Sequence, residues 1–204
     1  HSESGKLSVS KKAPINIPFN MPASLLNSYS IRLFNSIYYH SSSTQSDMNI
    51  SYEKFFYPLD GIRNWNRLYG KAGFIQYQFV IPMAVGIDGL KKILVKIVDS
   101  GLGSFLAVLK CFGPANANYL SFPMEGFTLA LDFKLSDSVI KLVSNLDPMV
   151  VDMGGRIYLT KDALMNDTTF KSCYPLWENF EQVRAKYGAI GKFSSIQSKR
   201  LGLQ

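Results

Sequence analysis

Along positions 74–81 the chain alternates two kinds of side chain. Ile75, Tyr77, Phe79 and Ile81 fall on one side of a pleated strand, and Phe74, Gln76, Gln78 and Val80 on the other. The same period of two marks 105–112 and 127–133. Phe105, Ala107, Leu109 and Cys111 oppose Val108, Lys110 and Phe112. Phe127, Leu129, Leu131 and Phe133 oppose Thr128, Ala130 and Asp132. Between and after these strands the period changes. Leu90, Ile93, Leu94, Ile97 and Val98 share one face of a helix over 87–98. A second helix spans 139–146, with Ser136 as its N-cap. After the Gly154-Gly155 break, 156–159 reads as a fourth strand. The order strand–helix–strand–strand–helix–strand predicts an α+β fold, with a ferredoxin-like antiparallel sheet and both helices on its apolar face.

The flanks are less regular. Positions 1–20 are polar, contain Pro14 and Pro18, and read as an extended leader. Leu25, Leu26, Tyr29, Leu33, Ile37 and Tyr38 predict helix over 22–40, followed by a polar loop at 41–47. A strand near 51–57 and a helix through Trp65 are expected to extend the sheet. Beyond Lys161, Leu176, Trp177, Phe180 and Val183 recur at helical spacing and predict a helical carboxy-terminal extension. The resulting division is a leader and helical segment (1–48), a substrate-binding cap domain (49–155) and a closing segment (156–204).

Composition narrows the chemistry. The 204 residues are 47% hydrophobic and 18% charged, with 14 Phe and 11 Tyr, which suits a packed core. No apolar run is long enough to span a membrane. The first residues have no apolar core and are read as a trimmed start or an internal boundary rather than a signal peptide. The formal charge of +7 is scattered. The pairs Lys11-Lys12, Lys91-Lys92 and Lys199-Arg200 are too short for a nucleic-acid stripe, so no nucleic-acid partner is expected. Cys111 and Cys173 have neither metal-ligand nor disulfide-framework spacing. With His1 and His40 as the only histidines, a His-based metal site and a Ser-His-Asp hydrolase are both disfavoured. Acid–base work must fall to Lys, Tyr, Asp, Glu or a cofactor. The face bearing Gln76, Gln78, Lys110 and Thr128 is too polar for core and too poor in charge for an ordinary wet surface. It reads as a ligand-pocket floor as well as it reads as a solvated face.

Several segments also resemble a known family. They are FFYPLD at 55–60, WNRLYG at 65–70, GFIQYQFVIP at 73–82, SFLAVLK at 104–110 with FGP at 112–114, and LSFP at 120–123. Gly126-Phe127, Asp132-Phe133, GGRIYLTKD at 154–162, Tyr174-Pro175 and KRLGL at 199–203 follow. Their order resembles the carboxy-terminal part of decaprenylphosphoryl-ribose oxidase-like FAD-linked oxidoreductases, within the vanillyl-alcohol-oxidase-like flavoproteins. The resemblance implies an amino-terminal FAD-binding domain as partner, on which 156–204 would pack. It also implies oxidation of a secondary hydroxyl on a sugar or lipid-linked sugar, with hydride passing to flavin, in a bacterial protein that is soluble, cytoplasmic or membrane-associated.

Residue by residue, it implies that Lys161 is catalytic and lies near flavin and substrate. A cation there suits the negative charge that builds at the flavin's pyrimidine edge. Tyr158 would contact the flavin, and Gln76, Gln78, Lys110, Phe112 and Arg67 would line the substrate pocket. Thr128, also assigned to the pocket, and Ala130 stand where the resembling enzymes carry Asn and Cys. Ala107 replaces a polar pocket residue. These departures loosen the expected substrate. No glycine-rich segment for the flavin pyrophosphate and no histidine for covalent attachment is evident, so this chain alone is not expected to hold FAD tightly or to turn over. The alternatives are a stand-alone ferredoxin-like ligand- or partner-binding module, or a subunit pairing through exposed surfaces. If Leu176, Trp177 and Phe180 lose their partner domain, oligomers, domain exchange or a tail folded onto itself should result.

Overall fold

A computed structural model describes residues 14–22, 25, 27–41, 52, 56, 57, 60–104 and 106–203. Its centre is a four-stranded, wholly antiparallel sheet in the order β4-β5-β3-β6. Here β3 is Phe74–Pro82, β4 Ala107–Phe112, β5 Gly126–Lys134 and β6 Arg156–Ile157. The helix α2 (Gly86–Asp99) joins β3 to β4, and α3 (Asp137–Asp152) joins β5 to β6. Each strand–helix–strand unit is split by a strand of the other. The class is α+β, as the alternation of periods predicts. Ser136 caps α3 as expected, its Oγ accepting from the Val139 N–H.

The apolar faces of β3 and β5 meet the apolar stripes of α2 and α3. Tyr77, Phe79, Ile81, Leu129, Leu131 and Phe133 pack with Leu90, Ile93, Ile97, Leu142, Val143 and Leu146 in one core. Where β3 ends and β5 begins the backbones close tightly. A Cβ on Gly126 would lie 2.0 Å from the Ile81 carbonyl oxygen, so only glycine fits there.

Four expectations are corrected. The apolar face of β4 is not covered, because α2 and α3 pack on β3 and β5 and leave Ala107, Leu109 and Cys111 exposed on the edge strand. No strand forms at Tyr52 or Phe56, which are helical; most of the rest of 51–57 lies outside the described residues. The segment before Trp65 does not extend the central sheet. Asn64 adopts a left-handed φ of 56° and Gly70 and Gly73 follow at positive φ, so the chain turns repeatedly before β3. Instead β2 (Ile62–Arg63) pairs in parallel with β1 (Ile15–Asn16), and a short 3₁₀ helix runs over Trp65–Tyr69. The fourth strand stops at Ile157 and gives way to a 3₁₀ turn at Leu159–Lys161.

The amino-terminal helix α1 covers Ser28–Ser41. Beyond Lys161 lie α4 (Asp167–Cys173), α5 (Trp177–Lys186) and α6 (Ile196–Arg200). They close on the chain itself: Phe170, Cys173, Tyr174, Leu201 and Leu203 are buried in the main core, and Trp177 and Phe180 pack against it. Among the described residues no helix is long and apolar enough to cross a membrane.

One buried charge marks the core. Asp147 on α3 accepts a 2.9 Å hydrogen bond from the Tyr77 hydroxyl. Burial pushes its carboxyl up to about 6, with the Tyr77 bond pulling the other way. The folded chain therefore holds this proton more tightly than the unfolded chain. The group costs stability above about pH 6, and that cost fades as pH falls toward 3.8. Asp147→Asn keeps an acceptor for Tyr77 and should raise stability at pH 8 by about 1–2 kcal/mol. Urea unfolding at pH 8 and pH 4.5 checks this: the gain should be largest at pH 8 and shrink at pH 4.5.

Candidate functional site

The second face of the sheet carries the candidate chemistry. Register sets Gln76 opposite Asp132, Gln78 opposite Ala130, and Thr128 between Val80 and Lys110. The turn after β6 brings Lys161 to this face. It is pinned to β3 by the Tyr158 N–H, which donates to the Gln78 carbonyl at 2.8 Å. From the other side the Gln197 amide donates to the Leu159 carbonyl at 2.6 Å. A turn fixed at both ends can hold a long lysine in one place.

Three side chains then form a line. Lys161 Nζ donates to Gln76 Oε1 at 2.6 Å, and Gln76 Nε2 donates to Asp132 Oδ1 at 2.9 Å. An ammonium only donates and a carboxylate only accepts, so the amide can lie in one direction only. Asp132 is 2% exposed, and its Oδ2 has no partner. Burial pushes its carboxyl above the ordinary range; the Gln76 N–H and the Lys161 charge pull it back. Tyr69, stacked on Phe74 at 4.7 Å, has its hydroxyl pushed well up by burial and by the Asp132 charge.

The two glutamines differ. Gln76 is engaged at both ends of its amide. Gln78 Nε2 donates to Thr128 Oγ1 at 3.1 Å, which leaves the side-chain Oε1 of Gln78 as an acceptor. Thr128 itself is fully buried and braces Gln78 from below. Beside this line stands an aromatic wall. Tyr158 stacks on Phe122 with centroids 4.4 Å apart, and Phe112 meets Phe122 edge-on at 5.7 Å.

The structure thus gathers Lys161, Gln76, Gln78 and Thr128 on one face, with Tyr158 and Phe112 joined through Phe122. Lys110 lies on the same face but on the exposed edge strand. Arg67 is occupied elsewhere, donating to the carbonyls of Ile17 at 2.9 Å and Pro18 at 2.7 Å. Sequence reasoning assigned no role to Asp132 or Phe122. The period of two does put Asp132 on the Gln76 face, but only the register makes them direct neighbours. A separate cavity of about 390 Å³ lies among Leu120, Leu159, Phe180, Phe193 and Leu201, and neither glutamine lines it.

Lys161 forms no ion pair among the described residues and uses one of three N–H donors on Gln76. A cation with spare donors beside an aromatic wall is suited to an anionic or electron-accepting aromatic ligand.

No protein-family model matches the chain. Among curated proteins it is 36% identical over 189 residues to decaprenylphosphoryl-beta-D-ribose oxidase of Mycolicibacterium smegmatis, which covers 93% of this chain and 41% of that protein. It is 31% identical over 117 residues to an "uncharacterized protein in mprA 5'region" of Streptomyces coelicolor, covering 57% of this chain and 32% of that one. The chain spans less than half the length of either relative. The resemblance carried by its motifs therefore holds across nearly the whole chain, which is similar to a part of decaprenylphosphoryl-beta-D-ribose oxidase.

Proposed function

We propose that this chain is the carboxy-terminal, substrate-covering part of an FAD-dependent oxidoreductase that oxidises a secondary hydroxyl of a sugar or polyprenyl-phosphate sugar. The observation that carries the reading is Lys161: an ammonium with spare donors, tied to Gln76, on a sheet face next to Tyr158 and Phe122. The residues fit a flavin. Tyr158, backed by the buried Phe122, offers aromatic surface, and Lys161 a cation. When bound, the flavin supplies the two-electron acceptor that no side chain here provides.

The chain's own residues divide the remaining work. Lys161 balances negative charge in the site, a role that strengthens where water is excluded. Gln78, braced by Thr128, offers its carbonyl oxygen to a substrate hydroxyl. Phe112 and Phe122 cover apolar surface beside it. The test is to express the full-length polypeptide that carries this chain and record its visible spectrum. A flavin spectrum that bleaches under glycosyl substrates without oxygen is the expected result, and a colourless, folded protein would refute the reading.

A further inference from the structure

The Lys161–Gln76–Asp132 line ends in a buried carboxylate that the proposed chemistry does not use. Its backbone is fixed independently. The Asp132 N–H donates to Ser104 Oγ at 3.0 Å, and the Ser104 hydroxyl donates to the Asp132 carbonyl at 3.1 Å. Asp132 lies against the sheet and has one engaged oxygen, which faces Gln76. A buried carboxylate with an orphan oxygen carries a desolvation cost, so its retention calls for a role.

We propose that Asp132 is a positioning residue that sets the direction of the Gln76 amide and thereby holds the Lys161 ammonium in place. By accepting from Nε2 it leaves only Oε1 for Lys161. Without that constraint the amide can turn and present N–H groups to an ammonium, which repels it. The other ionisable groups nearby are Tyr69, held neutral, and Asp162, whose carboxylate is engaged by Arg200. The inference rests on the reading of Lys161 as the functional cation, but its test needs no flavin.

The test follows the acetylation rate of Lys161 by an amine-reactive ester at pH 8, resolved by peptide mass spectrometry, with Lys141 and Lys192 as internal references. An amine held on Gln76 Oε1 is kept from the ester, so releasing it raises its rate relative to the reference lysines. Asp132→Asn and, separately, Gln76→Met are each expected to raise the Lys161 rate about three- to tenfold while the reference lysines stay unchanged. The double variant Asp132→Asn with Gln76→Glu exchanges carboxylate and amide along the line. It should bring the rate back to or below that of the parent chain.

Circular dichroism identifies a variant that fails to fold, in which case the remaining variants decide. Unchanged Lys161 rates in the folded single variants, or no rescue in the folded double variant, would overturn the proposal. A full-length polypeptide without flavin would sink the proposed function and leave this result standing. Conversely, a flavoenzyme whose Lys161 rate ignores Asp132 would remove only the positioning role.

Discussion

Lys161→Met in the full-length polypeptide is expected to lower kcat by about 10²–10³-fold, the usual loss when one pre-placed electrostatic donor is removed from a reacting centre. Methionine keeps the length of the stem and removes only the charge and donors. The Gln76 Oε1 that accepted from Lys161 is half-buried and can turn to water, so the fold should tolerate the change. KM should move less than kcat, because Gln78 and the aromatic residues that would grip a substrate are untouched. Steady-state kinetics together with the rate of anaerobic flavin bleaching would check this. A variant that bleaches at the parent rate would move the charge-balancing role away from Lys161. A variant that loses KM alone would make Lys161 a substrate anchor.

Much of this site could be read in the alternation of β3. A period of two fixes which residues share a face, and one face was legibly apolar while the other held two amides. The burial of Phe79, Ile81 and Phe133 against α2 and α3 follows from that pattern. Register is a different kind of information. Nothing local states that Gln76 faces Asp132, and a slip of two residues would keep every face assignment while breaking the Lys161–Gln76–Asp132 line. Asp132 therefore went without a role, and so did Phe122, which reaches the site from a loop.

The misread segments share a cause: their partners are distant in sequence. Arg67 donates to the leader carbonyls of Ile17 and Pro18, partners that nothing local announces. Leu109 reads as core because alternation cannot tell an edge strand from a covered one, and coverage depends on where α2 and α3 land. The strand expected near 51–57 does not form at Tyr52 or Phe56, which are helical. Lys161 shows the opposite case. Its sequence neighbours gave no geometric reason for a role, and the resemblance alone singled it out. The structure shows how Lys161 is held, by a turn anchored to β3 at Gln78 and to α6 at Gln197.

The same anchoring predicts that Arg200→Ala destabilises the chain by about 3 kcal/mol, within the range for removing one partner of a largely buried ion pair. Asp162 is the group at risk. Its carboxylate is 3% exposed and accepts from the N–H groups of Leu164 at 2.9 Å and Met165 at 2.8 Å, and from Arg200 at 2.8 Å. Arg200 also donates to the Met165 carbonyl, so its fork clamps α6 onto the segment that follows Lys161. Truncation leaves a buried carboxylate with backbone donors but no counter-charge.

The guanidinium is 26% exposed, which gives water some access and holds the cost below the upper end of that range. Asp162→Asn in the same background removes the stranded charge and should recover at least half of the loss, a coupling that a double-mutant cycle in urea measures directly. Equal losses in the single and double variants would show that the guanidinium acts through packing alone. Because Lys161 adjoins Asp162, the Arg200→Ala chain should also show altered acetylation at Lys161 under conditions where the protein remains folded. A clamp that served only the tail would leave Lys161 unchanged.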